Sequence, residues 1–200
     1  MTNVTNHRIL VIVDGRLDFP TFLVIMEDAM IDIRRLTLED KSAFERFQSI
    51  LLAEKEAGND LVETKKVEDF AAFIAKSNQN EIDTGNPDWS TSTNFYYFKD
   101  GEIVARIGCR WELKGELARV GGHIGYVTRT DFRGQGIMTE LLAFALNEYA
   151  KRGIKKVLIT ARKDNQASRA TIEKYAATFE SYVKDRGYDW AKYWVDTRGI

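Results

Sequence analysis

A chain of 200 residues, 44% hydrophobic and 30% charged with a formal net charge of −1, describes one soluble globular domain with a sizeable core. Lys and Arg are spread along it, which points away from a nucleic-acid surface, and no apolar run approaches the roughly 18 residues of a membrane span. Cys109 is the only cysteine, and His7 and His123 are the only histidines, so no internal disulfide and no metal cluster is expected, and a reducing cytoplasm is the expected home.

Residues 1–29 read as an N-terminal extension. Ile9–Val13 and Phe22–Met26 have strand character, with Asp14-Gly15 as a turn between them. The first run is too short for a signal sequence, and no small-residue cleavage site follows it. The domain proper is expected over residues 30–200. Ile31–Arg34 alternates as a strand. Thr37 or Asp40 can then cap a helix to about Glu56, with Leu38, Phe44, Phe47, Ile50 and Leu51 at helical spacing and Gly58 as its stop. A second helix is expected from about Val67 to Ser77, with Val67, Phe70, Phe73 and Ile74 on one face.

Residues 78–94 read as a polar loop, in which Trp89 is either a hydrophobic plug or a lid. Phe95–Phe98 and Ile103–Trp111 are strands joined at Asp100-Gly101, a hairpin signal, and Cys109 is expected as a buried core thiol. Gly121–Thr128 is the next strand, so three antiparallel strands form a meander. Alternation puts His123, Gly125 and Val127 on one face of this strand and Ile124, Tyr126 and Thr128 on the other.

This strand feeds Arg133-Gly134-Gln135-Gly136-Ile137-Met138. Glycines let backbone N–H groups turn outward, and the helix start adds unpaired N–H groups and the positive end of its dipole. Arg133 adds a full charge. Such a turn suits a phosphate or pyrophosphate. Thr139 stands where a dinucleotide fingerprint needs its third glycine, and no Gly-Lys-Ser/Thr follows, as a P-loop would require. The helix from Ile137 to about Arg152 carries Ile137, Leu141, Ala145 and Tyr149 in one row, with Met138, Leu142 and Leu146 beside it. Val157–Ala161 is a short apolar strand buried on both faces, giving a parallel crossover. Asn165 can cap the helix that follows, and Ala176–Val183 and Tyr188–Val195 close the chain as a hairpin around Asp185-Arg186-Gly187.

The loop at Arg133–Met138 resembles the R/Q-x-x-G-x-G/A pyrophosphate loop of the GCN5-related N-acetyltransferases, the GNAT family. Asn165 and Ser168 resemble that family's second motif, N-x-x-[AS]. The resemblance spans about residues 30–200. Within the family, Gly121–Tyr126 together with Lys163–Asn165 and Ser168-Arg169 looks like a group of predicted bacterial acetyltransferases of unassigned substrate. It implies an α/β (α+β) fold: a mixed, mostly antiparallel sheet with a central parallel strand pair and flanking helices.

It also implies acetyl-CoA as co-substrate, no metal, and transfer of the acetyl group to a primary amine by direct attack in a ternary complex. The acceptor is expected to be a small molecule, with the enzyme a monomer or homodimer that binds neither nucleic acid nor membrane. A protein N-terminus or lysine as acceptor, or a non-catalytic acetyl-CoA-binding module, are the alternatives. A peptide groove would show as an open cleft beside the final hairpin; a small-molecule pocket would be closed and acidic. Cofactor contacts are expected from Tyr126, Val127, Thr128, Arg133, Gly134, Gln135, Gly136, Ile137, Met138, Asn165 and Ser168.

The sequence departs from the family pattern in three places. Met138 stands for Gly or Ala, so its side chain must point away from the ligand. Ile172 stands where many members carry a tyrosine acid. The strand Gly121–Thr128 has no carboxylate base. His123, whose side chain titrates in a useful range, and Tyr175, one helical turn beyond Ile172, are the candidates for base and acid.

Overall fold

The computed structural model describes residues 29–198, and the expected strands at Ile9–Val13 and Phe22–Met26 lie outside them. The chain runs β1 (Ile31–Arg34), α1 (Lys41–Glu56), α2 (Phe70–Ile82), β2 (Ser92–Lys99), β3 (Glu102–Arg110), α3 (Glu116–Arg119) and β4 (Ile124–Thr128). It continues through α4 (Ile137–Lys151), β5 (Lys156–Arg162), α5 (Gln166–Glu173), β6 (Thr178–Asp185) and β7 (Tyr188–Asp196). The seven strands form one sheet in the order β1-β2-β3-β4-β5-β7-β6. Only the β4–β5 pair is parallel.

Local sequence explains these elements. Asp100 and Gly101 both take positive φ, 52° and 79°, the two-residue turn that matches the twist of a hairpin. Arg186 and Gly187 repeat this at 48° and 85° between β6 and β7. Thr37 opens a single 3-10 turn before α1, where its N–H donates to Asp40 Oδ2 at 2.7 Å. Arg34 grips the same carboxylate with Nη1 and Nη2, each at 2.7 Å, and holds the Asp40 carboxyl below the usual range.

The second helix lies later than its apolar spacing suggests. Asp69 caps it by accepting from Ala72 N at 2.9 Å, so Val67 precedes the helix and packs against its core from outside. Its end runs on through Asn78, Gln79 and Asn80 to Ile82, because nothing between Phe70 and Ile82 breaks a helix. The loop that follows is correspondingly shorter. Trp89 is 61% exposed, so it does not plug the fold. The loop is fixed instead by Glu112, which accepts from Ser90 Oγ, Thr91 N and Thr91 Oγ1 at 2.8–2.9 Å.

Two cores lie on opposite faces of the sheet. Under α4 and α5, Ile107, Cys109, Ile124, Leu141, Leu142, Ala145, Tyr149, Ile159, Ile172 and Tyr193 pack together. Under α1 and α2 lie Phe44, Phe47, Phe70, Tyr96, Phe98, Ile103 and Val127. Burying each such large side chain contributes about 1.5–3 kcal/mol. Ile124 and Tyr126 face the α4 side and Val127 the α1/α2 side, the alternation read from the sequence.

Candidate active site

The site is built around the junction of β4 and β5. A single Cα pairing, Ile124 with Ile159, joins the two strands. Below it the junction is clamped shut. His123 N donates to Leu158 O at 2.8 Å, and Leu158 N donates to His123 Nδ1 at 2.8 Å. Gly122 sits at φ 59°, and a Cβ there would lie 2.5 Å from Leu158 O, so the approach admits only glycine. Tyr149 Oη donates to His123 O at 2.9 Å from α4. His123 is 4% exposed, and burial pushes its pKa down to about 4, with the Arg110 charge adding to the effect. Its imidazole is therefore a neutral acceptor inside the clamp. This arrangement gives His123 a structural job and argues against the base role expected from its residue type.

Above the pairing the strands diverge. Arg129 N donates to Val104 O, and Arg106 pairs with Val127, so alternate residues of β4 bond to β3. Tyr126 and Thr128 therefore turn their backbone groups into the gap, whereas Val127 turns its own toward β3. On the α4 side, Tyr126 Oη meets Ser168 Oγ at 2.7 Å and spans the gap. Asn165 Oδ1 accepts from Ser168 N at 3.1 Å and caps α5 beside it. Burial pushes the Tyr126 hydroxyl up to about 12.

The glycine loop lies between the open end of β4 and the start of α4. Gly134 and Gly136 take φ of 75° and 83°, and no heavy atom lies within 4 Å of where a Cβ would sit on either. Among the described residues, the N–H groups of Gly134, Gln135, Gly136, Ile137 and Met138 find no acceptor. Five successive free donors at the N-terminus of a 15-residue helix make an anion cradle. Met138 packs its side chain into the core, away from the cradle. Arg133 behaves differently from its expected part. Its guanidinium is bound by both oxygens of Glu54, at the end of α1, and its Nε donates to Thr128 O at 3.1 Å. Lys174 reaches the first turn of α4 instead, with Nζ 3.3 Å from Thr139 Oγ1 and no carboxylate partner among the described residues. The sequence signal for Lys174 is slight, since its position comes only from the packing of α5 on α4.

Tyr175 donates its hydroxyl to Thr139 O, and burial raises its pKa. Ile172, at the position of the family's tyrosine, is wholly buried in the core. Cys109 is likewise buried, its thiol pushed up to about 12, and is no nucleophile.

On the opposite face the gap opens toward α1 and α2. Gly108 on β3 and Gly125 on β4 pair with each other, and the side chains of Asn94 and Arg110 pack over them, Asn94 Oδ1 lying 3.0 Å from where a Cβ on Gly108 would sit. Arg106 and Arg110 flank Gly108 on the same face. Neither has a carboxylate within 4.0 Å among the described residues, although the Glu63 charge reaches Arg110 from farther off, so this face does not show the acidic lining named above as the sign of a small-molecule pocket. The final hairpin is tied down from two directions. Asp60, between α1 and α2, accepts from Arg162 Nη1 and Tyr188 Oη at 2.7 Å each. Arg119 of α3 donates to Asp185 Oδ1 at 2.6 Å and to Lys184 O at 3.2 Å.

A parted parallel strand pair, with an anion cradle at its mouth, is the arrangement of an acyl-CoA-binding transferase. The acetyltransferase (GNAT) family profile matches residues 59–177, and the chain belongs to that family. It is an acetyl-CoA-dependent N-acetyltransferase. Solved structures share the fold at low identity. The putative acetyltransferase yncA from Salmonella typhimurium, with acetyl-CoA, is 14% identical at a TM-score of 0.59, covering 85% of this chain and 95% of that one. The microcin self-immunity acetyltransferase MccE, in complex with acetyl-CoA and AMP, is 21% identical at 0.60, covering 83% and 92%. RimL, a ribosomal alpha-N-protein acetyltransferase in complex with coenzyme A, is 21% identical at 0.57, covering 83% and 93%. A comparison with curated proteins finds no match. No helix of the described residues is long and apolar enough to cross a membrane.

Proposed function

We propose that residues 30–200 form the transferase domain and acetylate the primary amine of a small molecule, by direct attack in a ternary complex. The observation that carries the choice of acceptor is the double tie on the final hairpin. Asp60 and Arg119 bridge to it from the α1–α2 and β3–β4 connections, across the side where a peptide groove would open.

When bound, acetyl-CoA supplies the activated acyl carbon. The residues present fit its parts. The N–H groups of Gly134–Met138 receive the pyrophosphate, and Lys174 adds charge nearby. The backbone of Tyr126 and Thr128 would hold the pantetheine arm from the β4 side, and Asn165 and Ser168 from the α5 side. The N–H groups that β4 turns into the gap are placed to stabilise charge developing on the acyl oxygen. His123 stays neutral with Nδ1 engaged, so it holds the clamp and takes no proton from the amine. Alignment of donor and amine on the two faces of one gap is the main contribution of the chain.

Acetyl-CoA at a hundredfold excess over Kd stabilises the native state by about 2.7 kcal/mol. In a chain of this size that raises the melting midpoint by about 5–10 °C. NAD and ATP give much less, because the loop matches neither of their motifs. A shift with NAD and none with acetyl-CoA overturns the assignment. Thiol release across a panel of small amines and N-terminal peptides then decides the acceptor: turnover confined to peptides rejects a small molecule. A shift with acetyl-CoA and no thiol release with any acceptor points to a binding module.

A further inference from the structure

We propose that the acceptor carries an anionic group beside its amine, and that Arg106 and Arg110 hold this group on the α1/α2 face of β3. The inference rests on the transferase reading above and concerns the acceptor face of the same site.

Three relationships carry it. Arg106, Gly108 and Arg110 alternate with Ile107 and Cys109, which belong to the core under α4, so the two arginines share the α1/α2 face of β3. Gly108 pairs with Gly125, and the Arg110 guanidinium lies across Gly125, with Nη2 3.7 Å from where a Cβ would sit. A side chain at Gly125 would meet this group. The missing side chains of Gly108 and Gly125 therefore make room for Asn94 and for the Arg110 guanidinium, which lies flat on β4 next to the gap where the thioester is presented.

The second relationship is charge. The other arginines around the site are neutralised: Arg133 by Glu54, Arg162 by Asp60 and Asp164, and Arg119 by Asp185. Arg106 and Arg110 have no such partner among the described residues. Arg110 Nη1 donates to Gly121 O and Gly122 O, each at 3.2 Å, which fixes the fork without cancelling its charge. Burial lowers the Arg110 pKa; Tyr149 and the Glu63 carboxylate, which is not in direct contact, act against this, and Arg106 adds a smaller repulsion. Two guanidinium groups on one half-buried strand face, neither with a carboxylate in direct contact, favour the arrival of an anion.

The third is an unmet donor. Arg106 Nε is buried and has no hydrogen-bond partner among the described residues, although the guanidinium lies beside Tyr96. Trp190 Nε1 is buried and unpartnered too. Trp190 pairs with Arg162 across β5 and β7, on the face opposite Ala191 and Tyr193 of the α4 core. It thus flanks the same gap from the far side. A buried N–H without an acceptor is costly, and a carboxylate or phosphate oxygen supplies one.

The test uses matched acceptors that differ only in this group: ω-amino acids of two to five carbons against their amides, and O-phosphoethanolamine against ethanolamine. Thiol release is measured at saturating acetyl-CoA, and melting midpoints with each amine are measured in the presence of CoA. The expected result is that an anionic member is preferred at least about tenfold in kcat/KM, mostly through KM. Whether carboxylates or phosphates gain more identifies the source of the charge. Arg106→Gln and Arg110→Gln should erase the preference, and Arg110→Lys should keep part of it, while acetyl-CoA affinity stays unchanged in all three. Equal turnover of matched pairs overturns the inference, as does a preference that survives both glutamine variants. If no amine is turned over, anion-dependent stabilisation that is lost in Arg106→Gln still upholds the anion site while the transferase reading fails. Absence of both turnover preference and stabilisation rejects the anion site.

Discussion

Arg133 and Glu54 meet as two forks, Nη1 on Oε1 at 2.6 Å and Nη2 on Oε2 at 2.8 Å. The pair ties the end of α1 to the glycine loop and cancels a charge that sequence alone would give to the pyrophosphate. Arg133 keeps 40% of its side-chain exposure, so screening limits the pair to about 0.2–1 kcal/mol. A double-mutant cycle with Arg133→Gln and Glu54→Gln should return a coupling in that range. Acetyl-CoA affinity should fall less than about tenfold in Arg133→Gln, since the backbone donors remain. A hundredfold loss by calorimetry would show that Arg133 leaves Glu54 to bind phosphate.

Gly136→Val should remove acetyl-CoA binding and leave the fold in place. The free protein has open space at this position, so the cost to folding is the left-handed backbone, about 1–2 kcal/mol. The valine side chain would fill the cradle itself. The measurement is the melting midpoint with and without acetyl-CoA; a rise equal to that of the parent would sink the loop assignment.

The folded pKa of His123 lies near 4, below the ordinary histidine value of 6.5. The unfolded chain therefore binds the proton more readily. The stability linked to His123 is fully present above about 6.5 and is lost as pH falls toward 4, amounting to about 3 kcal/mol. Urea midpoints should drop over that window, and His123→Gln should flatten the drop. A kcat that titrates with His123 near neutral pH would restore it as a base.

Ala176 sits at φ 50°, a left-handed conformation that costs a residue with a Cβ about 1–2 kcal/mol. It is exposed, just after α5. Ala176→Gly should raise the melting midpoint by roughly 2–4 °C for each kcal/mol relieved. A lower midpoint would mean that the entropy glycine adds to the unfolded chain outweighs the relief.

The glycine loop and the helix after it were legible because they are local. Gly134, Gly136 and the row Ile137–Leu141–Ala145–Tyr149 lie in one stretch, where spacing dictates both the turn and the buried face. Asn165 and Ser168 announce a helix cap in the same way. What spacing could not show is pairing between distant segments. Glu54 lies 79 positions before Arg133, and nothing in either neighbourhood predicts that they meet. His123 looked available because a histidine titrates in a useful range, and only the fold reveals Leu158 N–H on its Nδ1. The charge of the acceptor face was not legible for the same reason. Its character depends on which arginines find carboxylates, and that is settled by the α1–α2 connection and the final hairpin, far from β3 in sequence.

The single pairing of Ile124 with Ile159 has a consequence for the order of events in turnover. In bonding terms the sheet is two leaves, of four and three strands, joined by the Ile124–Ile159 pairing and the His123–Leu158 clamp below it and backed by α4. A continuous ladder would fix the leaves along their whole length; here only the clamped end is fixed and the end above it is adjustable. Whatever is wedged between them sets the distance from Val127 on one leaf to Arg162 and Trp190 on the other. The acceptor recess therefore takes its working width only after the donor is seated. We expect a compulsory sequence, donor first and amine second. CoA should then compete with acetyl-CoA at every amine concentration, and the acetylated product should not. Product-inhibition kinetics showing the amine binding equally well to the free enzyme would rule this out.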